Sequence, residues 1–303
     1  MQLKASWGRW ARGCMAGVLG AVLACQAWAG QPLFLWALQD DQGVVRGHLY
    51  GTVHVCDGRC TPPPAPVTRA LDRASSLALE LDPEDLALPR KIAQAGRLPP
   101  GQTLAQLLPP ALMGRLEQAA ARLGLAPQVL QSMQPWLVNA LLGVQAAARA
   151  GYRTENGVDL WLAQVGRARR LKLDPLETPE RQIEALSAGG DSAQQAALAQ
   201  TVDLVLEGRF ADYFAELLAA WRTGDVATLD RLMQEETGDA AAPVMEALLD
   251  ARNLDMAAAI VQRLQPGRRP FIAVGAGHMG GPRGLLALLA ARGFRPVQQA
   301  LPE

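Results

Sequence analysis

Two histidines that follow a glycine at the same spacing are the residues of this sequence best suited to chemistry. The chain has three histidines, and two of them close the motifs Gly51-Thr52-Val53-His54 and Gly275-Ala276-Gly277-His278. An apolar run precedes each motif, so each histidine is predicted to stand where a strand gives way to a turn. Imidazole offers a neutral nitrogen to a metal ion, or an acid–base group near neutral pH. The pair therefore indicates a site built from two remote strand ends.

An acidic residue at a third strand end completes a ligand set. Residues 76–81 are predicted to form a buried strand, on which the side chains of Glu80 and Asp82 would point the same way. Two histidines and one glutamate are a known ligand set for a catalytic divalent metal that leaves a position open for water. We predict that His54, His278 and Glu80 converge, with Glu80 acting either as a metal ligand or as a general base.

Three further residues each have a functional and a structural interpretation. His48 shares a strand face with His54 and is either a third ligand or a hydrogen-bonded structural residue, and the second is favoured. Glu177 follows a short predicted strand, 171–176, and is either a catalytic carboxylate or a solvated helix start. Arg252 is predicted on a helix, either in position to orient a carboxylate or on an exposed helix face.

The strands that carry these residues are predicted near both ends of the chain. The apolar runs 33–38 and 44–52 flank the turn sequence Asp40-Asp41-Gln42-Gly43, which predicts a hairpin. Residues 270–297 are predicted to form a strand, a tight turn, a helix and a second strand.

The middle of the chain has a different composition. Between about residues 89 and 264, Ala, Leu, Gln and Arg recur at helical spacing with Gly and Pro punctuation, which predicts a run of helices. The expected fold is α/β, with a mixed central sheet formed by about residues 31–88 and 265–303. The helical stretch is expected to form a large insertion or cap over that sheet.

The first 29 residues are predicted to be a signal peptide. An apolar core, Cys14–Cys25, is too short to span a bilayer, and Ala27-Trp28-Ala29 has the small-x-small form of a cleavage site. The basic residues before that core are Lys4, Arg9 and Arg12. This predicts cleavage after about Ala29 and a periplasmic or secreted protein without a membrane span, with lipidation at Cys25 as the alternative.

Signal removal leaves two cysteines and a slightly acidic chain. Export favours a disulfide between Cys56 and Cys60, and the alternative is a pair of soft metal ligands beside His54. The whole chain has 29 basic and 29 acidic residues. Since residues 1–29 contain three basic and no acidic residues, the remaining chain is acidic, and a nucleic-acid partner is not expected.

Several short motifs, taken in order, resemble the TraB/GumN family, which includes the pheromone-shutdown protein TraB and the TIKI metalloproteases. The matching stretches run through most of the sequence after residue 29. They are Leu49-Tyr50-Gly51-Thr52-Val53-His54, Leu79-Glu80-Leu81-Asp82, Pro135-Trp136, Gly157-Val158-Asp159, Leu176-Glu177-Thr178 with Gln182, Ala220-Trp221-Arg222-Thr223-Gly224-Asp225, Arg252-Asn253 with Met256, and Val274-Gly275-Ala276-Gly277-His278.

The resemblance implies an α/β core with a helical insertion, similar to the cores of ChaN-type haem-binding lipoproteins and erythromycin-esterase-like (EreA-like) hydrolases. In TIKI-like members it implies metal-dependent cleavage of a peptide or protein substrate, usually with manganese or cobalt, and zinc is a further candidate. His54, His278 and Glu80 then become metal or catalytic residues, and Arg252 takes the family's arginine position. Because one fold serves several functions, a non-catalytic haem- or metal-binding protein and an accessory interaction protein remain alternatives.

Overall fold

Six strands form one mixed sheet in the computed structural model, which describes residues 30–302. The strands are β1 (Pro32–Gln39), β2 (Val45–Thr52), β3 (Ser76–Leu79), β4 (Lys172–Leu173), β5 (Pro270–Gly275) and β6 (Arg295–Ala300). Their order in the sheet is β4-β3-β5-β2-β1-β6. The predicted mixed α/β fold is confirmed, while the predicted signal peptide lies outside the described residues.

The predicted hairpin forms the antiparallel side of the sheet. Strands β1 and β2 pair antiparallel, and β6 pairs antiparallel with the other edge of β1. The turn is stabilised by Asp40, whose Oδ1 accepts from the backbone N–H groups of Gln42 and Val44 at 3.0 and 2.8 Å. Such side-chain-to-backbone bonds are typical of aspartate at turns.

The other half of the sheet is parallel, and it sets the position of the site. Strand β5 lies between β2 and β3 and pairs in parallel with both, and β4 pairs in parallel with β3. Four of its residues, Phe271 to Val274, are fully buried, as a strand covered on both faces requires. The carboxyl ends of β2, β5, β3 and β4 therefore meet at one edge of the sheet.

Helices make up most of the middle of the chain. They are α1 (Ala65–Asp72), α2 (Leu88–Ala95), α3 (Leu104–Leu107), α4 (Pro110–Leu123), α5 (Pro127–Leu130), α6 (Pro135–Arg149), α7 (Val158–Ala168), α8 (Pro179–Ser187), α9 (Gly190–Glu207), α10 (Phe210–Arg222), α11 (Val226–Met245), α12 (Arg252–Arg263) and α13 (Leu285–Ala290). A π-helical turn, Glu246–Ala251, joins α11 to α12, and 3₁₀ turns cover Thr154–Asn156 and Ala276–His278. No helix among the described residues is long and apolar enough to cross a bilayer.

The helical stretch has an apolar core of its own and also contributes to the sheet. One buried cluster surrounds the sheet, while a second lies among α3 to α6 and α9. Strand β4 interrupts the helical stretch and extends the sheet edge. Thr178 caps the amino end of α8, because its Oγ1 accepts from the Arg181 N–H at 3.2 Å. The helical stretch thus delivers Glu177 and Arg252 to the same edge as the histidines.

Candidate functional site

Every parallel strand supplies one candidate residue at its carboxyl end. His54 follows β2, Glu80 follows β3, Glu177 lies shortly after β4, and His278 ends the 3₁₀ turn after β5. Because parallel strands end at one edge, residues as far apart in the sequence as His54 and His278 become neighbours there. Ligand sites in α/β proteins occur at such edges.

His54 is held by a carboxylate from the helical part of the chain. Its Nδ1 lies 2.8 Å from Asp159 Oδ2, and the Thr52 hydroxyl donates to Asp159 Oδ1 at 2.6 Å. The negative charge of Asp159 raises the pKa of His54 to about 9 against the opposing effect of desolvation. The His54 side chain is 65 % exposed, so its Nε2 is the ring nitrogen available to a ligand. A carboxylate on the far nitrogen fixes the ring's orientation and increases its basicity.

Arg252 occupies the centre of a buried ionic cluster. Its Nη2 donates to Glu80 Oε2 and, at 2.5 Å, to Glu177 Oε1, while its Nε donates to Glu177 Oε2 at 3.0 Å. The side chains of Arg252, Glu80 and Glu177 are only 5–7 % exposed. Arg252 therefore orients two carboxylates of the protein and does not lie on an exposed helix face, and Glu177 is not a solvated helix start.

The two glutamates of this cluster have different proton affinities. Burial pushes the pKa of Glu80 upwards, but the imidazoles, Arg252 and the Gly275 N–H more than offset it, so the pKa falls to about 2. Burial raises the pKa of Glu177 above its ordinary value despite its contact with Arg252. Glu80 is consequently the permanently charged member, and Glu177 is the one closer to taking a proton.

His278 is positioned by the residue next to Arg252. Its Nδ1 lies 2.7 Å from Asn253 Oδ1, and Asn253 Nδ2 donates to the Arg283 carbonyl at 2.9 Å. An amide oxygen can only accept, so Nδ1 carries the proton and Nε2 keeps its lone pair. Burial lowers the pKa of His278 to about 4, and the ring is neutral at pH 7. Its Nε2 lies 3.8 Å from Glu80 Oε1 and 3.3 Å from Arg252 Nη1.

Gly275 leaves the space around which these side chains meet. A Cβ atom at this position would lie 3.2 Å from Glu80 Oε1, 3.6 Å from His54 Nε2 and 3.6 Å from His278 Cδ2. The Gly275 N–H also donates to Glu80 Oε1 at 2.6 Å. The structure thus brings together the two histidines and the glutamate predicted from the sequence, and a glycine keeps the point between them open.

Two imidazoles and one carboxylate are donors of the kind that bind divalent metal ions. Glu80 Oε1 and His278 Nε2 are close enough to share an ion, since metal–ligand bonds near 2.1 Å allow ligands to be about 4 Å apart. In the full set of His54, Glu80 and His278, at least one pair of ligand atoms is more than 4.8 Å apart. Since Glu80 Oε1 and His278 Nε2 are 3.8 Å apart, the separation that exceeds this limit involves His54. In the described part of the chain, three such groups lie closer together only at Cys56, Asp57 and Cys60.

The cysteine cluster offers no thiolate, because Cys56 and Cys60 form a disulfide. The predicted bridge is confirmed. It closes the loop that follows His54, and the backbone of Cys56 pairs in both directions with Arg153 at 3.0 and 2.8 Å. This pairing connects the loop to the segment that leads into α7 and Asp159.

His48 and Asp82, which the sequence placed on the same strand faces as His54 and Glu80, lie away from the cluster. His48 pairs with Phe271, four residues before the strand edge at Thr52 and Gly275, a distance of about 13 Å along the strand. Strand β3 ends at Leu79, so the side-chain alternation stops there. Asp82 contacts Arg167 at 2.5 Å, while Glu80 turns inward.

Sequence reasoning left two positioning residues without a role. Asp159 and Asn253 both stand within motifs that carried the family resemblance, yet each was read only as part of its motif. The signal that could have found them is chemical: a histidine in a site needs a partner for its second nitrogen. Nothing in the local pattern says which carboxylate or amide supplies it.

Comparison with known proteins identifies the family. The profile of the TraB/PrgY/gumN family matches residues 34–298, which include every residue of the cluster. The chain belongs to this family. It is 24 % identical over 139 residues to the uncharacterized protein YbaP of Escherichia coli strain K12, and equally to YbaP of Shigella flexneri. The aligned part is 46 % of this chain and 51 % of YbaP, so the chain spans about half the length of the curated relatives that it matches. No solved structure matches the chain.

Proposed function

We propose that this protein is an exported, metal-dependent hydrolase that acts on peptide bonds. The observation that carries the proposal is the approach of His54 Nε2, the His278 ring and Glu80 Oε1 to one point above Gly275, each within 3.6 Å of it. Two imidazoles and a carboxylate are a ligand set of hydrolytic metal sites. The resemblance to TIKI-like metalloproteases supports the peptide as substrate class.

Metal binding would use the ring nitrogens that Asp159 and Asn253 do not contact, and at His278 the ion would replace the 3.3 Å contact between Nε2 and Arg252 Nη1. Asp159 and Asn253 hold Nδ1 of the two histidines, so His54 and His278 would both bind through Nε2, with Glu80 Oε1 as the third ligand. Manganese and cobalt are the first candidates, and zinc is a further one. A divalent ion held there would lower the pKa of a bound water and polarise the scissile carbonyl.

The chain's own residues have separate tasks in this proposal. Arg252 holds Glu80 and Glu177 together, because its guanidinium donates to both carboxylates. Glu177, whose pKa burial raises, is the carboxylate suited to accept a proton from the attacking water. Because the pKa of His54 is about 9 without metal, ion binding at neutral pH must displace a proton from its ring.

A cavity of about 440 Å³ is lined by Asn253, Gly277 and residues of α11, but by no residue of the ionic cluster and by neither histidine. Asn253, which positions His278, connects this cavity to the site, and cavities of this size accommodate small ligands or peptide side chains. The His54 side chain is the exposed part of the site.

The test combines metal analysis with peptide hydrolysis. Wild-type protein, His54→Ala, His278→Ala and the matched control His48→Ala would be titrated with Mn²⁺, Co²⁺ and Zn²⁺ by calorimetry, then assayed on a fluorogenic peptide library. We expect the wild type and His48→Ala to bind a stoichiometric ion and cleave peptides, and the other two variants to lose both properties. Equal metal affinity in all four proteins would refute the site. Metal binding without any cleavage would refute the hydrolase and favour a metal-binding protein.

A further inference from the structure

A second cavity is lined by residues of the β1–β2 hairpin, of the disulfide-closed loop and of α10. It has a volume of about 230 Å³, and its walls are mostly apolar and aromatic. The apolar and aromatic wall residues include Leu33, Phe34, Tyr50, Val67, Trp221 and Leu301. Neither the ionic cluster of Arg252, Glu80 and Glu177 nor the two histidines of the site line this cavity. A flat apolar body would fill such a space and exclude water from it.

Two arginines stand among the residues that line this cavity, and they share one carboxylate. Arg59 and Arg222 both line it, and both donate to Asp57, at 2.6 and 2.9 Å. Hydrogen bonds from Arg59 hold the pKa of Asp57 at about 2, so this carboxylate is ionised and the three groups together carry one surplus positive charge. The Arg59 side chain is 76 % exposed, which leaves guanidinium N–H groups available for a second anion.

A buried hydroxyl adds a polar group to the apolar wall. Tyr50 is only 2 % exposed, and its hydroxyl makes none of the side-chain hydrogen bonds found among residues 30–302. Within that range, Asn139 Oδ1 is the one buried side-chain polar atom that is both fully enclosed and unpaired. The Tyr50 hydroxyl is therefore not fully enclosed, and Tyr50 is one of the residues that line the cavity. Buried polar groups of this kind normally have a partner.

We propose that this cavity binds a small organic carboxylate with a flat apolar body. The aromatic walls would take the body, the surplus arginine charge would take the carboxylate, and the Tyr50 hydroxyl would be available for a polar atom of the ligand. The volume lies below the usual range of drug-sized pockets, about 300–1,000 Å³, which limits the ligand to about the size of an arylacetic acid. This binding function is independent of the proposed hydrolase.

Phenylacetate is the probe, and its neutral and cationic analogues supply the charge test. Binding of phenylacetate, 2-phenylethanol and 2-phenylethylamine to the full-length protein would be measured by calorimetry and by chemical shifts of labelled Leu and Val methyl groups. We expect saturable phenylacetate binding that shifts Leu33, Val67 and Leu301, about tenfold weaker binding of the alcohol, and none of the amine.

Three variants locate the site. Arg59→Gln removes an exposed guanidinium and should weaken phenylacetate binding roughly threefold to tenfold. Leu301→Trp fills the cavity from a half-buried position near the carboxyl terminus and should abolish saturation, with the melting temperature reporting that the fold is retained. Arg268→Gln, an exposed arginine that does not line the cavity, should leave binding unchanged.

Three results would overturn the proposal. One is the absence of saturable phenylacetate binding up to about 10 mM ligand. Another is equal affinity for the acid and the alcohol, because the arginines would then play no part. The third is equal loss of binding in Arg59→Gln and Arg268→Gln, which would indicate a general charge effect.

Discussion

The contact between Asp159 and His54 gives a quantitative prediction that does not need a metal ion. Asp159→Asn keeps the shape of the side chain and removes its charge, while the hydrogen bond from Thr52 at 2.6 Å can still form. The charge of Asp159 is the first cause of the raised pKa of His54, which is about 9 against an ordinary 6.5. Since the His54 side chain is 65 % exposed, water screens part of this interaction. We expect the substitution to lower the pKa by at least about one unit, equivalent to about 1.4 kcal/mol.

The assay is a proton NMR titration of the imidazole C–H signals in protein kept metal-free with EDTA. The chain has only three histidines, so His48→Ala and His54→Ala assign all three signals. In Asp159→Asn the His54 signal should titrate nearer 6.5, whereas the pKa of His278, which burial lowers to about 4, should change little. A His54 pKa that is the same in both proteins would refute the geometric argument.

The same contact predicts how stability depends on pH. The pKa of His54 is raised in the folded state, so its contribution is fully present below about pH 6.5 and is lost as pH rises through about 9. The difference in unfolding free energy between wild type and Asp159→Asn should therefore be largest at pH 6 and shrink towards pH 9.5. Urea unfolding of both proteins across this range measures it, and a difference that grows with pH would contradict the sign.

Two further substitutions test the buried cluster and the space above Gly275. Arg252→Met leaves the carboxylates of Glu80 and Glu177 buried without a cation, and urea unfolding should show a loss of about 3–5 kcal/mol; a loss below about 1 kcal/mol would mean that the cluster is solvated. Gly275→Ala puts a methyl group 3.2 Å from Glu80 Oε1 and 3.6 Å from both imidazoles, so it should weaken Mn²⁺ binding at least about tenfold with a small change in melting temperature. Gly143→Ala is the matched control, since its Cβ would meet nothing within 4 Å, and equal metal affinity in the two alanine variants would contradict the role given to Gly275.

Several residues of the site could be predicted from the sequence, without knowledge of their positions in space. The offset of His54 and His278 from a glycine, each after an apolar run, marked two strand ends. The short strand before Glu80 marked a third. These are local signals, and the structure has each residue at the end of its strand.

The interpretation of individual side chains needed the tertiary contacts. Glu177 and Arg252 each had two open interpretations, and burial decided between them, because both side chains are 5 % exposed and bonded to each other. His48 illustrates the converse. Its type and strand face matched those of His54, but the parallel register with β5 places it four residues from the edge.

The sequence alone determined the local elements: a hairpin around Asp40 to Gly43, a run of helices, and a final strand, turn and helix. Apolar periodicity and turn chemistry act over a few residues, so they can be read without the fold. Tertiary structure alone decided which partners meet. Asp159 reaches His54 across 105 positions and Arg252 reaches Glu80 across 172. These pairings depend on the strand order β4-β3-β5-β2 and on the positions of α7 and α12, which carry Asp159 and Arg252. Both result from long-range packing, which leaves no mark on the pattern of any single segment.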